Sequence, residues 1–226
     1  LAMYGGKRQF PTGVAPHLCW SNAGVQDAVT EKIEKWWDDN PTVDSVSFLA
    51  ADQTHFCECD QCKAMAPDVS TRWQKFCKII IERVNKTHPG KHYQALAYQA
   101  YRNVPTEVAP FDLIGYTTYN INYTKPITDP SNAKARAEIE AWQKLGAPMG
   151  IRGYQFIPFR ERMFAPITSL IVDEVAWAHK IGLRGWKSEV TPFGHPRKTA
   201  PPDQNWVTNR MALYAVAQAM WNAQIQ

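Results

Sequence analysis

Asp52 and Glu189 each close an apolar run that reads as a β-strand. Ser45-Val46-Ser47-Phe48-Leu49-Ala50-Ala51 leads into Asp52, and Gly182-Leu183-Arg184-Gly185-Trp186-Lys187-Ser188 leads into Glu189. Carboxylates at the C-terminal ends of parallel strands stand where α/β barrels assemble active sites. Two of them across one cleft can divide the work of glycosidic cleavage. One is protonated and donates to the leaving oxygen, while the other stays charged as nucleophile or as base for water. Asp52 is read as the acid/base and Glu189 as the nucleophile or second base, with environment deciding which pKa rises. A helix cap or a salt bridge is the competing account of either acid.

Rings and cations on or just beyond the other strands supply the rest of such a cleft. Tyr98, Tyr116, Tyr154 and Trp186 can cover the apolar face of a sugar, Arg102 and Arg152 can bind an acidic one, and His55 can line the rim. Packing and ordinary salt bridges are the alternatives for each. Trp186 precedes Glu189 by three residues, so a regular strand sends the two side chains to opposite faces.

The cysteines need a separate explanation. Cys57, Cys59 and Cys62 lie close together, Cys19 is far upstream, and Cys77 falls among apolar residues at helical spacing. Short spacings of this kind suit thiolate coordination, and Cys19 is available as a fourth ligand to a tetrahedral structural zinc. Two disulfides, favoured by export, and uncoupled free thiols are the competing readings. No cofactor for catalysis is implied.

The elements that must position these groups follow from periodicity. Ser21 or Asn22 caps a helix with Val25, Val29, Ile33 and Trp36 as its buried stripe, ending before Asn40-Pro41. After the strand at 45–51 and the cysteine loop, Trp73, Phe76, Cys77, Ile80 and Val84 mark a helix over about 71–86. Strands are expected at about 92–98, 112–118, 148–154 and 183–188. Helices are expected at about 132–145 (Ala135, Ile139, Trp142 inward), 167–181 (Leu170, Ile171, Val175, Ala178) and 205–222 (Val207, Met211, Tyr214, Trp221). Pro192, Pro196, Pro201 and Pro202 mark a long loop suited to a binding rim.

This order predicts one α/β domain over 1–226 with a mostly parallel sheet. Five strands fall short of a full (β/α)8 TIM-type barrel, so the chain reads as the C-terminal portion of one. The missing N-terminal part would lie elsewhere in a larger parent chain or in a partner. An open α/β sheet is the alternative. The net charge of +4 is spread along the chain without a basic stripe, which argues against nucleic acid. No apolar run is long enough to span a membrane. The first residues do not read as a signal peptide, and a start at Leu1 suggests a processed protein or a fragment.

Several stretches together resemble a known family. They are Cys19-Trp20-Ser21-Asn22, Ser45 through Asp52, Cys57-Glu58-Cys59-Asp60-Gln61-Cys62, Leu96-Ala97-Tyr98-Gln99, Gly185-Trp186-Lys187-Ser188-Glu189 and Met220-Trp221-Asn222. In content and order they resemble DUF4838, a large bacterial family grouped with the glycoside hydrolase barrels. Where that family typically carries Asn-Asp followed by glycines, this chain reads Ala51-Asp52-Gln53-Thr54. The acid is retained and its neighbours differ. The resulting expectation is a glycoside hydrolase-like protein acting on a secreted or periplasmic polysaccharide or oligosaccharide. A non-catalytic carbohydrate-binding protein and a structural component of a larger assembly are the alternatives.

Overall fold

The structure, a computed structural model, describes residues 1–8, 17–52, 55–119, 121–156, 167–190 and 204–222, with the side chains of 156, 189–190 and 204–211 left aside. Among the described residues, seven strands and six α-helices follow one another: β1 (Met3–Tyr4), β2 (Lys7–Arg8), α1 (Ala23–Asp39), β3 (Ser45–Phe48), α2 (Asp60–Met65), α3 (Val69–Val84), β4 (His92–Ala97), β5 (Leu113–Thr117), α4 (Ala133–Lys144), β6 (Met149–Phe156), α5 (Thr168–Lys180), β7 (Trp186–Val190) and α6 (Gln204–Trp221). β3 to β7 form a five-stranded parallel sheet in sequence order. A doubly wound sheet reverses its order at a switch point. Unbroken order, with α-helices between β3 and β4, β5 and β6, and β6 and β7 and a 3-10 turn between β4 and β5, is instead consistent with part of a (β/α)8 barrel.

By contacts the chain divides into two compact units, Leu1–Ile114 with Ala141–Pro148, and Gly115–Glu140 with Met149–Gln226. In the first, β3 and β4 run in register from Ser45↔His92 to Phe48↔Ala95. Trp73, Phe76, Cys77, Ile80 and Val84 of α3 are all buried, as their spacing predicts. Asp68 starts this helix by accepting from the Thr71 N–H at 2.7 Å. In the second unit, Ile171 of α5 packs with Ala212 and Val216 of α6.

Several expectations shift. In α1, Asn22 is the cap as read, but the buried positions are Gln26, Thr30 and Trp37, while Trp36 is exposed. The helix turns polar groups inward because they are satisfied there: Gln26 donates to the Trp20 carbonyl at 2.9 Å and Thr30 to the Gln26 carbonyl at 2.9 Å. In α6 the inward residues are Ala212, Val216 and Ala219, and Tyr214 and Trp221 are exposed. Small residues at helical spacing allow close packing on α5. Val207 and Met211 lie outside the described side chains, and the proline-rich loop lies outside the described residues. β7 runs further than expected, so Glu189 belongs to the strand instead of ending it. The irregular opening contains a small hairpin, β1–β2, turned by Gly5 and Gly6 at φ 53° and 76°. The cysteine stretch contains the short helix α2.

Candidate functional site

The parallel register of β3 and β4 brings their C-terminal ends to one sheet edge, where a compact polar cluster forms. Asp52 follows β3 and is exposed. Its Oδ1 accepts from the Tyr98 hydroxyl at 3.0 Å and from Gln99 Nε2 at 2.9 Å. Among the described residues no hydrogen bond engages Oδ2. Tyr98 directly follows β4, and its ring meets Tyr101 edge-on with centroids 6.2 Å apart. Gln99 opens the 3-10 turn Gln99–Arg102 with φ +49°, in the left-handed region that non-glycine residues rarely occupy. That conformation costs about 1–2 kcal/mol. It coincides with the contact that orients the carboxylate, a usual place for backbone strain. Sequence reasoning assigned Gln99 no role, because nothing in a single glutamine announces a left-handed backbone.

The other anticipated residues do not all reach an open face. His55 is exposed. Arg102 is buried at 8% exposure, and its carbonyl accepts from Trp142 Nε1 at 2.9 Å. Tyr116 is fully buried in β5, with its hydroxyl donating to Glu138. Trp186 donates its indole N–H to Glu174 on α5 at 2.6 Å, so its ring serves the helix–sheet interface. Tyr154 lies on β6 with Arg152, whose Nη1 donates to the tyrosine oxygen at 2.7 Å. Glu189 lies on β7, and its side chain falls outside the described residues.

Glu174 was not anticipated. It occupies a position on the buried face of α5 at 4% exposure, where only apolar residues were expected. Its Oε1 accepts from Gln155 Nε2 at 2.9 Å and from Trp186 Nε1 at 2.6 Å. Burial pushes its carboxyl up to about 7, against the opposing pull of those two donors. Gly153, two residues before Gln155 on β6, leaves that side chain its room: a Cβ at 153 would lie 1.8 Å from Gln155 Oε1.

The cysteines converge. Cys19, Cys57, Cys59 and Cys62 are buried, with all four sulfurs within 4.8 Å of one another. Individual separations are 3.7 Å for Cys19–Cys59, 3.8 Å for Cys19–Cys62 and 3.5 Å for Cys57–Cys59. A disulfide holds its sulfurs at about 2.05 Å, and all five cysteines are free. Thiolates about 2.3 Å from a tetrahedral zinc stand roughly 3.8 Å apart. The four are therefore positioned to coordinate a metal ion, and the all-sulfur set fits a structural zinc. Met3 N–H donates to Cys57 Sγ at 3.2 Å, and Ser21 Oγ lies 3.1 Å from Cys62 Sγ. Such contacts orient sulfur ligands and temper their charge. Burial pushes the Cys62 thiol up to about 12. For Cys59, burial is outweighed by hydrogen bonds from the Cys62 backbone, Ser21 and the neighbouring thiols, which bring it down to about 6. Cys77 stands apart, fully buried in α3 as a small apolar residue, with burial holding its thiol protonated.

The chain is similar to PbGH5A, a glycoside hydrolase family 5 enzyme from Prevotella bryantii B14, with TM-score 0.53 and 11% identity over 97% of this chain and 68% of that one. It also aligns with the family 36 α-galactosidase AgaA of Geobacillus stearothermophilus at TM-score 0.41 and 10% identity, covering 92% of this chain and 26% of that enzyme. The first likeness is one of fold alone. No curated protein matches the chain significantly in sequence. No helix among the described residues is long and apolar enough to cross a membrane. The model of DUF4838, a domain of unknown function, matches residues 2–226, and the chain belongs to that family.

Proposed function

We propose that this chain is a glycoside hydrolase acting on an oligosaccharide or polysaccharide, with Asp52 and Glu189 as its carboxylate pair. The observation that carries the proposal is the mounting of Asp52: an exposed carboxylate past a parallel strand, with one oxygen fixed by Tyr98 and Gln99 and the other unengaged among the described residues. A carboxylate that must act on a glycosidic bond needs this combination of fixed orientation and a presented oxygen. The fold likeness to a family 5 enzyme supports the same reading. Polymeric substrates of this kind lie outside the cytoplasm, which places the protein, in this proposal, in the secreted or periplasmic space.

The test is reducing-sugar release from a panel of oligosaccharides by the full chain and by Asp52→Asn and Glu189→Gln. Each variant should lose about 10²–10⁴-fold in kcat/KM with an unchanged unfolding temperature. Hydrolysis that survives both substitutions overturns the assignment. Binding without any hydrolysis replaces it with a carbohydrate-binding function, which the Tyr154 and Tyr119 rings would serve. Product stereochemistry by NMR then reports the spacing of the pair: retention corresponds to roughly 5–5.5 Å, inversion to about 6.5–9.5 Å.

A further inference from the structure

The outer surface of α6 is unlike that of α1. The earlier helix turns Asp27, Glu31, Lys32, Lys35 and Asp39 to solvent. From Met211 to Asn222, by contrast, the chain holds no Asp, Glu, Lys or Arg. Ala212, Val216 and Ala219 of α6 are buried, and the first two pack with Ile171 of α5. The opposite stripe, spaced at three and four residues, is Tyr214, Ala217, Gln218 and Trp221, all exposed. Tyr214 is 63% and Trp221 92% exposed, and among the described residues neither makes a hydrogen bond or ring contact.

Large rings held in water on an uncharged helix mark an association surface, and its chemistry narrows the partner. Helices that lie on membranes carry Lys or Arg beside their apolar face, and nucleic-acid surfaces need cations for phosphate. The stripe supplies neither, and a strongly charged protein would find no counter-charge on it. An uncharged patch suits a surface of its own kind, because two copies meet through the same residues without like-charge repulsion.

The spacing is also self-complementary. When α6 packs antiparallel on its copy about a two-fold axis between Ala217 and Gln218, position 214 falls opposite 221 and position 217 opposite 218. Each Tyr214 then meets the partner's Trp221, once at either end of a low centre where Ala217 lets the helices approach. Arg210, one turn before Tyr214, lies outside the paired span. Aromatic side chains bury about 150–250 Å² each, so the four rings remove roughly 600–1,000 Å² from water. With the centre included, the area approaches the ~1,000 Å² of a specific interface, at the weak and reversible end.

We propose that the Tyr214–Trp221 face of α6 is a homodimer interface, in which two copies of this chain pair antiparallel through a reciprocal tyrosine–tryptophan contact. The inference is independent of the hydrolase reading.

Sedimentation velocity of the full chain in reducing buffer, across about 1–300 µM, tests it. A reversible monomer–dimer equilibrium is expected, with a Kd of about 10–100 µM. Trp221→Ala should weaken it about 30-fold, the size of a central aromatic contact. The unfolding temperature should not change, because the ring touches little of its own chain. Tyr214→Ala carries the same test if the Trp221 variant does not fold. Gln218→Lys and Gln218→Glu each set like charges at the axis, so either variant alone should be monomeric, whereas their equimolar mixture should regain the dimer. A chain that is monomeric at every concentration overturns the proposal. So does a dimer indifferent to Trp221→Ala, or a mixture no more associated than its components. A monomer that binds neutral phosphatidylcholine vesicles through Trp221 also overturns it and gives the face to lipid instead.

Discussion

The sulfur cluster of the first unit and the Glu174 cluster of the second are both buried acids, and they are neutralised differently. Four crowded thiols cannot all ionise without a cation among them. Burial holds Cys62 protonated up to about 12 even while Cys59 comes down to about 6. A divalent metal resolves that conflict by taking four sulfurs at once. Glu174 has one carboxyl and two neutral donors, so a single proton suffices, and its pKa near 7 reflects that. The neutral acid can also donate, and Gln155 Oε1 is a buried acceptor without a partner among the described residues. Asp52 calibrates the contrast. It too accepts two neutral donors on one oxygen, but it is exposed. Donor number is equal in the two carboxylates, so solvent access is what separates a core acid from one available to a ligand.

Metal removal should be the most damaging way to probe this contrast. The purified chain is expected to hold one zinc, and chelation or Cys62→Ser should cost more than about 5 kcal/mol of stability. The corresponding fall in Tm is roughly 10–20 °C, read by metal analysis and thermal unfolding. Indifference to chelation would remove the metal half of the comparison.

The proton half predicts a pH dependence of definite sign. A carboxyl whose pKa is 4.5 unfolded and about 7 folded binds more protons in the folded state between those values. Stability from Glu174 is therefore full below about 4.5, falls as pH rises through 7 and levels off above, by about 3 kcal/mol in all. Denaturant titration at pH 5 and pH 8 should show this decline in the wild type and not in Glu174→Gln. An equal decline in both would mean that other groups set the pH response.

Ser21→Ala should sharpen the metal side, weakening zinc about 10–100-fold in competition with a chelating dye while leaving the fold intact. The smallest effect concerns Gln99. Gln99→Gly and Gln99→Ala both lose the contact to Asp52, but only glycine tolerates φ +49° freely. The glycine variant should exceed the alanine variant in stability by about 1 kcal/mol, with hydrolysis reduced alike in both.

Much of the fold was legible because it rests on local rules. The α3 stripe of Trp73, Phe76, Cys77, Ile80 and Val84 and the Asn22 cap were read from spacing and residue type alone. The α1 and α6 faces were not, because hydrophobicity ranks side chains without regard to partners. Gln26 and Thr30 go inward where their hydrogen bonds are met, and Ala212, Val216 and Ala219 go inward where a close helix leaves no room for Tyr214. The site divides in the same way. Type and position pointed to Asp52, Tyr98 and the four cysteines, and the structure joins Tyr98 to Asp52 and brings the four sulfurs together. Arg102, Tyr116 and Trp186 have the right chemistry and positions near strands, but Arg102 and Tyr116 are buried and Trp186 is half-buried with its indole N–H engaged by Glu174.

By itself the sequence determined the succession of strands and helices, the family and the presence of a four-cysteine set, since these depend on residue type and separation along the chain. Only the tertiary structure decided that the cysteines meet as free thiols, that Gln99 bends backward to hold Asp52, and that α6 turns Tyr214 and Trp221 to solvent. Each depends on strand register and burial, which are set by contacts between residues distant in sequence.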